Sequence, residues 1–322
     1  MGRTKSAYWV LSLVLLLLFP VLAAAQDENK SKDKKEKKQR TGTPVFWRAP
    51  DDIESRNLLL GAGGDEMKPD VSRLTFIEQK KGGHSTKYRV RDAKGNEWIA
   101  KVGKEAQSET AANRIIWALG YPTEITYLVP KATIEGKGDF ENVRLEARPK
   151  HVKRTGNWKW ENNPFMTTPE FKALKILMIM INNWDMKDVN NQILALRNQT
   201  TGEAELQYII SDLGGTFGKT GGVISRSRNK PEDYEKAEFI KKVKGDVIDF
   251  NYNGKNQKLF ENITVTDAAW LSTWLKRLSD DQLKDAFRAA NYAPEEVDSL
   301  TATFRARANA LANLAGATAA TN

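Results

Sequence analysis

No cysteine occurs in the 322 residues of this chain, and histidine occurs only twice. Without thiols the chain has no disulfide, no thiolate nucleophile and no zinc knuckle, and two isolated histidines, His84 and His151, do not make a metal site. Long apolar runs are scarce too. The run from Ala7 to Leu18 is short for a membrane span, which needs about 20 residues. Arg3 and Lys5 precede it, and Pro20 and Ala23-Ala24-Ala25 follow, a pattern that predicts a secretory signal cleaved after Ala25, with an uncleaved anchor as the alternative. The absence of cysteine near that site rules out a lipoprotein anchor, and export to a periplasmic or extracellular compartment leaves the core to hold the fold alone.

An excess of positive charge is also missing once the N-terminus is set aside. The formal charge is +9, of which the signal carries two and residues 26–40, with seven Lys or Arg against four Asp or Glu, carry three. The remainder is ordinary for its size, so no nucleic-acid partner is expected. Segment 26–42 has almost no apolar residues and reads as a disordered tether, a membrane-surface contact through its basic residues being the alternative. The rest divides into residues 43–148, a leader and a small β-rich lobe, and residues 149–322, a larger and mainly helical lobe.

What the sequence does contain is a dense polar constellation. Asn183-Trp184-Asp185-Met186-Lys187-Asp188-Val189-Asn190 is followed by two apolar segments around the turn 197–202 and then by Ser211-Asp212-Leu213-Gly214. Phosphoryl transfer needs a carboxylate beside the acceptor hydroxyl and oxygen ligands that hold Mg²⁺ against the phosphates. Asp185 suits the first role, and Asn190 with Asp212 the second. The two apolar segments predict a hairpin whose ends bring Asn190 and Asp212 together. Upstream, Leu74 to Gln79 reads as a strand, and Lys80 to Thr86 as a turn holding Gly82, Gly83, Ser85 and Thr86. Lys87 to Arg91 is a second strand, Asp92 to Gly95 a tight turn, and Glu97 to Val102 a third strand carrying Lys101. Glu105 to Leu119 then predicts a helix stopped by Gly120 and Pro122.

On these residues the chain resembles the protein-kinase-like superfamily over roughly residues 70–220. It is most similar to the atypical branches: HipA-like, phosphatidylinositol-kinase-like and secretory-pathway kinases. The spacing Asp-x-x-x-x-Asn then Asp-x-Gly matches, with Met186 for the usual Leu and Leu213 for the usual Phe. The resemblance implies a two-lobed α+β fold that binds ATP with Mg²⁺ or Mn²⁺ between the lobes. It implies that Lys101 pairs with nucleotide phosphates and that Glu109 orients it, with Glu105 as the alternative. Asp185 would be the catalytic carboxylate, Lys187 a lysine close to the transferred phosphate, Asp212 the main metal ligand, and Asn190 or Asn191 a second one. The turn from Gly82 to Thr86 departs from Gly-x-Gly-x-x-Gly, and Asn183-Trp184 replaces the usual His-Arg. The acceptor, whether protein, lipid, sugar or small molecule, is not encoded in a readable motif, and nucleotidyl transfer and a pseudokinase without turnover stand as alternatives.

Elsewhere the expectations are structural. Thr43 to Pro69 reads as a leader wrapping the small lobe, and Glu124 to Ala147 as strands completing the small sheet, with a turn at Gly136 to Asp139. Arg148 to Lys150 falls at the hinge between lobes. Thr168-Pro169-Glu170 starts a buried helix through Ile181, and Tyr252 to Lys255 reads as a hairpin turn. Arg226, Arg228 and Lys230 follow a glycine-rich stretch and pair with an acidic substrate or form a solvated loop. Three helices starting at Thr266, Ser279 and Pro294 close the lobe, and Ala315 to Asn322 is expected to fray.

Overall fold

The computed structural model describes residues 42–319 apart from 83, 84, 199 and 223, so the expected signal, nearly all of the tether, Gly83 and His84 lie outside the described residues. Among the described residues no helix is long and apolar enough to cross a membrane. The chain is an α+β protein of two lobes.

The small lobe is a five-stranded antiparallel sheet of β2 (Thr75–Lys80), β3 (Lys87–Arg91), β4 (Glu97–Lys101), β5 (Thr126–Ile134) and β6 (Gly138–Ala147), in the order β2-β3-β4-β6-β5. Its register starts at a turn that the sequence dictates. Asp92 accepts from the Asn96 amide and from Trp98 Nε1 at 3.0 Å, while Gly95 takes the left-handed φ of +85° that a side chain would resist. That turn sets Lys87 opposite Lys101, and Lys101 opposite Arg144 on β6. Alternate positions of β4 therefore face opposite ways: Trp98 and Ala100 enter an apolar cluster with Leu74, Val90, Val143 and Leu145, while Lys101 faces helix α1 (Glu105–Ala118).

The large lobe holds β7 (Lys153–Gly156), α2 (Pro169–Met180), β8 (Asn191–Arg197), β9 (Ala204–Ile210), a short α3 (Pro231–Lys236), the hairpin β10 (Ile240–Lys244) and β11 (Val247–Phe250), and α4 (Val265–Leu275), α5 (Asp280–Arg288) and α6 (Pro294–Ala319). Thr168 caps α2 by accepting from the Phe171 amide at 3.2 Å, and Pro169 occupies its first turn. Thr264 and Ser279 make reciprocal capping boxes for α4 and α5. Eight of the twelve residues of α2 are buried, as its composition predicts, within one apolar cluster shared with α4 to α6 and one face of α1.

Three expectations need correction. The leader does not wrap the small lobe alone: β1 (Thr43–Val45) pairs in parallel with β9, and Phe46, Ile53 and Leu58 join the large-lobe cluster. Trp47 Nε1 donates to the Leu119 carbonyl at 2.7 Å and Arg56 to the Trp117 carbonyl at 2.5 Å, so the leader satisfies the open C-terminal end of α1. The hairpin turn expected at Tyr252 to Lys255 is a packed loop, since the Tyr252 hydroxyl donates to the Asn183 carbonyl at 2.9 Å; the real turn is at Gly245, with φ of +59°. Strand β7 and helix α3 were not expected, and α6 continues through Ala319, beyond the point where fraying was expected.

Candidate active site

Helix α2 ends where the chemistry begins. Asn182 turns the chain with a φ of +51°, the Asn183 amide returns to the Met178 carbonyl at 2.8 Å, and the Asn183 side chain accepts from the Asp185 amide at 3.1 Å. Asp185 is thereby fixed at the end of a buried helix. From the other side, Asn190 donates through Nδ2 to the Asp185 carbonyl at 2.6 Å and to its carboxylate at 3.2 Å. Lys187 lies 2.7 Å from the same carboxylate.

The β8–β9 hairpin brings the second acid in. Asn191 pairs with Ile210, and the amides of Ser211 and Asp212 both donate to the Asn190 carbonyl, at 2.8 and 3.2 Å. Asp212 Oδ1 accepts from the Gly214 amide at 3.2 Å and lies 3.4 Å from Lys101 Nζ across the lobes. Burial by itself would raise the Asp212 pKa, yet Lys101, the Gly214 amide, Lys87 and Arg144 together hold it below the ordinary value. A charged, oxygen-bearing group is the result.

Lys101 is 1% exposed and touches three carboxylates, with Glu109 at 2.7 Å, Glu105 at 2.8 Å and Asp212 at 3.4 Å. Both candidate helix acids therefore hold the lysine, because α1 starts close behind β4 and presents successive turns to it. Gly214 permits this approach, since a Cβ there would sit 2.8 Å from the Glu105 Cβ. Behind Glu109 stands Arg144, 3.1 Å from Glu109 and 3.0 Å from Glu146. Burial works against the charge on Arg144, but Glu109, Glu146, Glu124 and Asp212 raise its pKa above the usual value. Sequence reasoning missed Arg144; only the β4–β6 register could have placed it opposite Lys101.

Asp185, Lys187, Asn190 and Asp212 line one cavity of about 220 Å³ together with Glu105, Lys87 and Arg228. Asn191 does not line it: its side chain is fully buried and donates to the Trp158 carbonyl at 3.1 Å, because the strand alternation at the start of β8 turns it the opposite way from Asn190. In the glycine turn, Gly82 is exposed with φ of +98° and Thr86 is exposed, while Ser85 donates to Glu105 at 2.6 Å. Glu105 is also ion-paired to Arg228, so it ties the turn, Lys101 and the segment after Asp212 to one another. Larger cavities exist, including one of about 650 Å³ beside β10 and β11 lined by Lys242, Lys244, Asp249 and Glu261, but none of the site residues above lines it.

The donor set fits a hard divalent cation. The Asn190 amide nitrogen is committed to Asp185, which leaves its oxygen as acceptor, and Asp212 Oδ1 is committed to Gly214 and Lys101, which leaves Oδ2. Among the described residues no three His, Cys, Asp or Glu cluster into a cage. One carboxylate and one amide suit a magnesium ion that takes its remaining ligands from phosphates and water.

No protein-family model matches the chain, and neither does any curated protein. Among solved structures it is similar to the proinflammatory kinase CtkA of Helicobacter pylori, with a TM-score of 0.49 and 11% identity over 76% of this chain and 96% of that one. It is also similar to Rio2 kinase of Chaetomium thermophilum, solved as an ADP/Mg²⁺-phosphoaspartate complex, with a TM-score of 0.31 and 10% identity over 74% of this chain and 72% of that one. Likenesses this distant decide nothing about chemistry, which rests on the residues.

Proposed function

We propose that this protein is an exported, ATP- and Mg²⁺- or Mn²⁺-dependent phosphotransferase acting on a hydroxyl acceptor. The observation that carries the reading is the convergence of Lys101, held between Glu109 and Glu105, on Asp212, with Asp185 and Asn190 in the same cavity. Asn190 and Asp212 would hold the metal ion, which when bound neutralises charge on the phosphates. Lys101 and Lys87 would face the phosphates from the sheet. Asp185 would orient the acceptor hydroxyl and take its proton as the oxygen forms its bond to phosphorus and the bond from phosphorus to the leaving diphosphate breaks. Lys187, paired with Asp185, would lie beside the transferred group.

A second reading, an exported nucleotide-binding or scaffold module without turnover, draws on Ser85. Its hydroxyl is engaged by Glu105, and Glu105 by Arg228, so the turn is tied to the helix instead of offering that hydroxyl to a phosphate. Purified protein mixed with ATP and Mg²⁺ or Mn²⁺ separates the two. A metal-dependent rise in the unfolding midpoint with a phosphate-sized mass gain on protein or added acceptor, both lost in Asp212→Ala, supports transfer. A nucleotide-sized gain would point to nucleotidyl transfer, a stabilised protein without any mass gain to the nucleotide-binding form of the second reading, and no response with either metal would refute transfer and nucleotide binding alike and leave only the scaffold.

A further inference from the structure

The cavity beside Asp185 carries a cation that its own acids do not use. Lys187 is paired with Asp185, Arg228 with Glu105, and Lys101 with three carboxylates. Arg226 also lines the cavity, yet among the described residues no carboxylate pairs with it. Its guanidinium instead lies over the Trp184 ring, 4.1 Å from the centroid, next to Arg228 at 4.9 Å. The indole is itself fixed: Trp184 is 4% exposed and its Nε1 donates to the Ser227 carbonyl at 2.9 Å. An arginine stacked on a rigid ring keeps its fork in one orientation and loses little freedom on binding a carboxylate.

Position separates Arg226 from Lys87, which also lines the cavity and has no ion-paired acid among the described residues. Lys87 lies on the sheet opposite Lys101 and its charge acts on Asp212, the side assigned to nucleotide phosphate. Arg226 lies over the residue that precedes Asp185, the side assigned to the acceptor. Two exposed apolar side chains accompany Arg226: Val189, 71% exposed and lining the same cavity, and Ile224, fully exposed and two residues before Arg226 in the chain. Isolated exposed residues are common, but here Val189 shares the cavity with the preorganised Arg226 and the Asp185 carboxylate, and Ile224 precedes Arg226 in the same turn.

We infer that the acceptor is an extended peptide segment with a serine or threonine beside an acidic residue, whose carboxylate Arg226 receives in a bidentate pair while apolar neighbours rest on Val189 and Ile224. This rests on the reading of Asp185 as the group that receives the acceptor. A single fixed fork in a cavity of about 220 Å³ selects one carboxylate, whereas a membrane surface is met by many mobile cations on an open face.

The test is fluorescence anisotropy without nucleotide, using labelled peptides with a central serine flanked by Glu or, in the control, by Gln, and vesicles of phosphatidylserine or phosphatidylcholine as a separate arm. Wild-type protein should bind the Glu peptide about tenfold more tightly than the Gln peptide at low ionic strength. Arg226→Gln should abolish that preference, and Arg226→Lys, which keeps the charge and loses the fork, should recover only part of it; unchanged unfolding midpoints show that both variants are folded. Equal binding of the two peptides, a preference that survives Arg226→Gln, or an Arg226 effect confined to phosphatidylserine vesicles would overturn the inference. Peptide preference and ATP·Mg²⁺ binding are read independently, so a protein that selects the Glu peptide but is not stabilised by nucleotide would refute the phosphotransferase and leave the acidic-peptide site standing.

Discussion

Glu109→Gln keeps the size of the side chain and removes a charge that is ion-paired to both Lys101 and Arg144, at 2.7 and 3.1 Å. All three groups are buried. Removing one partner of a buried ion pair costs about 3–5 kcal/mol, because the other charge is left without its compensation. Here each cation keeps an acid: Lys101 has Glu105 at 2.8 Å, and Arg144 has Glu146 at 3.0 Å. The loss should therefore fall at the low end, about 3 kcal/mol, which for a domain of this size lowers the unfolding midpoint by about 6–12 °C. Lys101→Met should cost a similar amount, because Glu109 and Glu105 lose the lysine between them and keep only the cations Arg144 and Arg228. In the double variant neither Lys101 nor Glu109 charge remains to be stranded, so it should be more stable than the sum of the single losses by about 1–3 kcal/mol. Urea unfolding of the four proteins measures this coupling. Additive losses, or a Glu109→Gln protein that unfolds with wild-type stability, would show that the pair contributes nothing beyond its separate members and refute the reasoning.

Two further outcomes follow from the same geometry. Asn190→Ala should abolish metal-dependent stabilisation by ATP at a stability cost of about 1 kcal/mol, whereas Asn191→Ala should cost about 1–3 kcal/mol by removing a buried donor and leave the metal dependence intact; the reverse pattern would exchange their roles. Burial, and then the adjoining Glu146 carboxylate, push Glu124 up to about 8, against about 4.3 in an unfolded chain. The folded protein thus retains a proton that the unfolded chain has released, so this group's contribution to stability is full below about 4.3, falls as pH rises through that interval, and is level above about 8. Glu124→Gln should flatten the stability profile between those limits when followed by denaturant unfolding in steps of pH, and an unchanged slope would refute the assignment.

How much of this was legible depended on whether the determining contacts were local. Strands β2 to β4 and helix α1 were readable because a tight turn, period-two alternation and a glycine stop are written within a few residues of one another. The β8–β9 hairpin was readable for the same reason, and with it the meeting of Asn190 and Asp212. Lys101 was readable as a candidate, but its two acids were read as alternatives where the structure uses both. Arg144 was illegible because its neighbour on β4 is set by strand order, not by sequence distance. The leader misled for a related reason: its aromatic residues signal burial without saying against which lobe. At Asn253-Gly254 a strong local turn signal was overridden by packing, since a Cβ at Gly254 would meet the Trp184 Cα at 2.9 Å.

The site also divides into parts that answer to different experiments. From the sheet inward runs an alternation of charge, Glu146, Arg144, Glu109, Lys101 and Asp212, each within 3.4 Å of the next. The first four belong to β6, α1 and β4 and are almost wholly enclosed, so their mutual neutralisation is settled when the small lobe folds. Asp212 comes from the other lobe and keeps one oxygen uncommitted, so only at this last member does the alternation meet what enters the cleft. Substitutions in the inner four should therefore register first as lost stability and only through Lys101 as lost nucleotide binding. Substitutions at Asp212, Asp185 and Asn190 should do the opposite, leaving a folded protein whose response to metal and nucleotide is gone. A protein in which both groups gave the same signature would have a cleft that folds around its ligand, whereas the separation expected from this geometry is that of a cleft built before its ligand arrives.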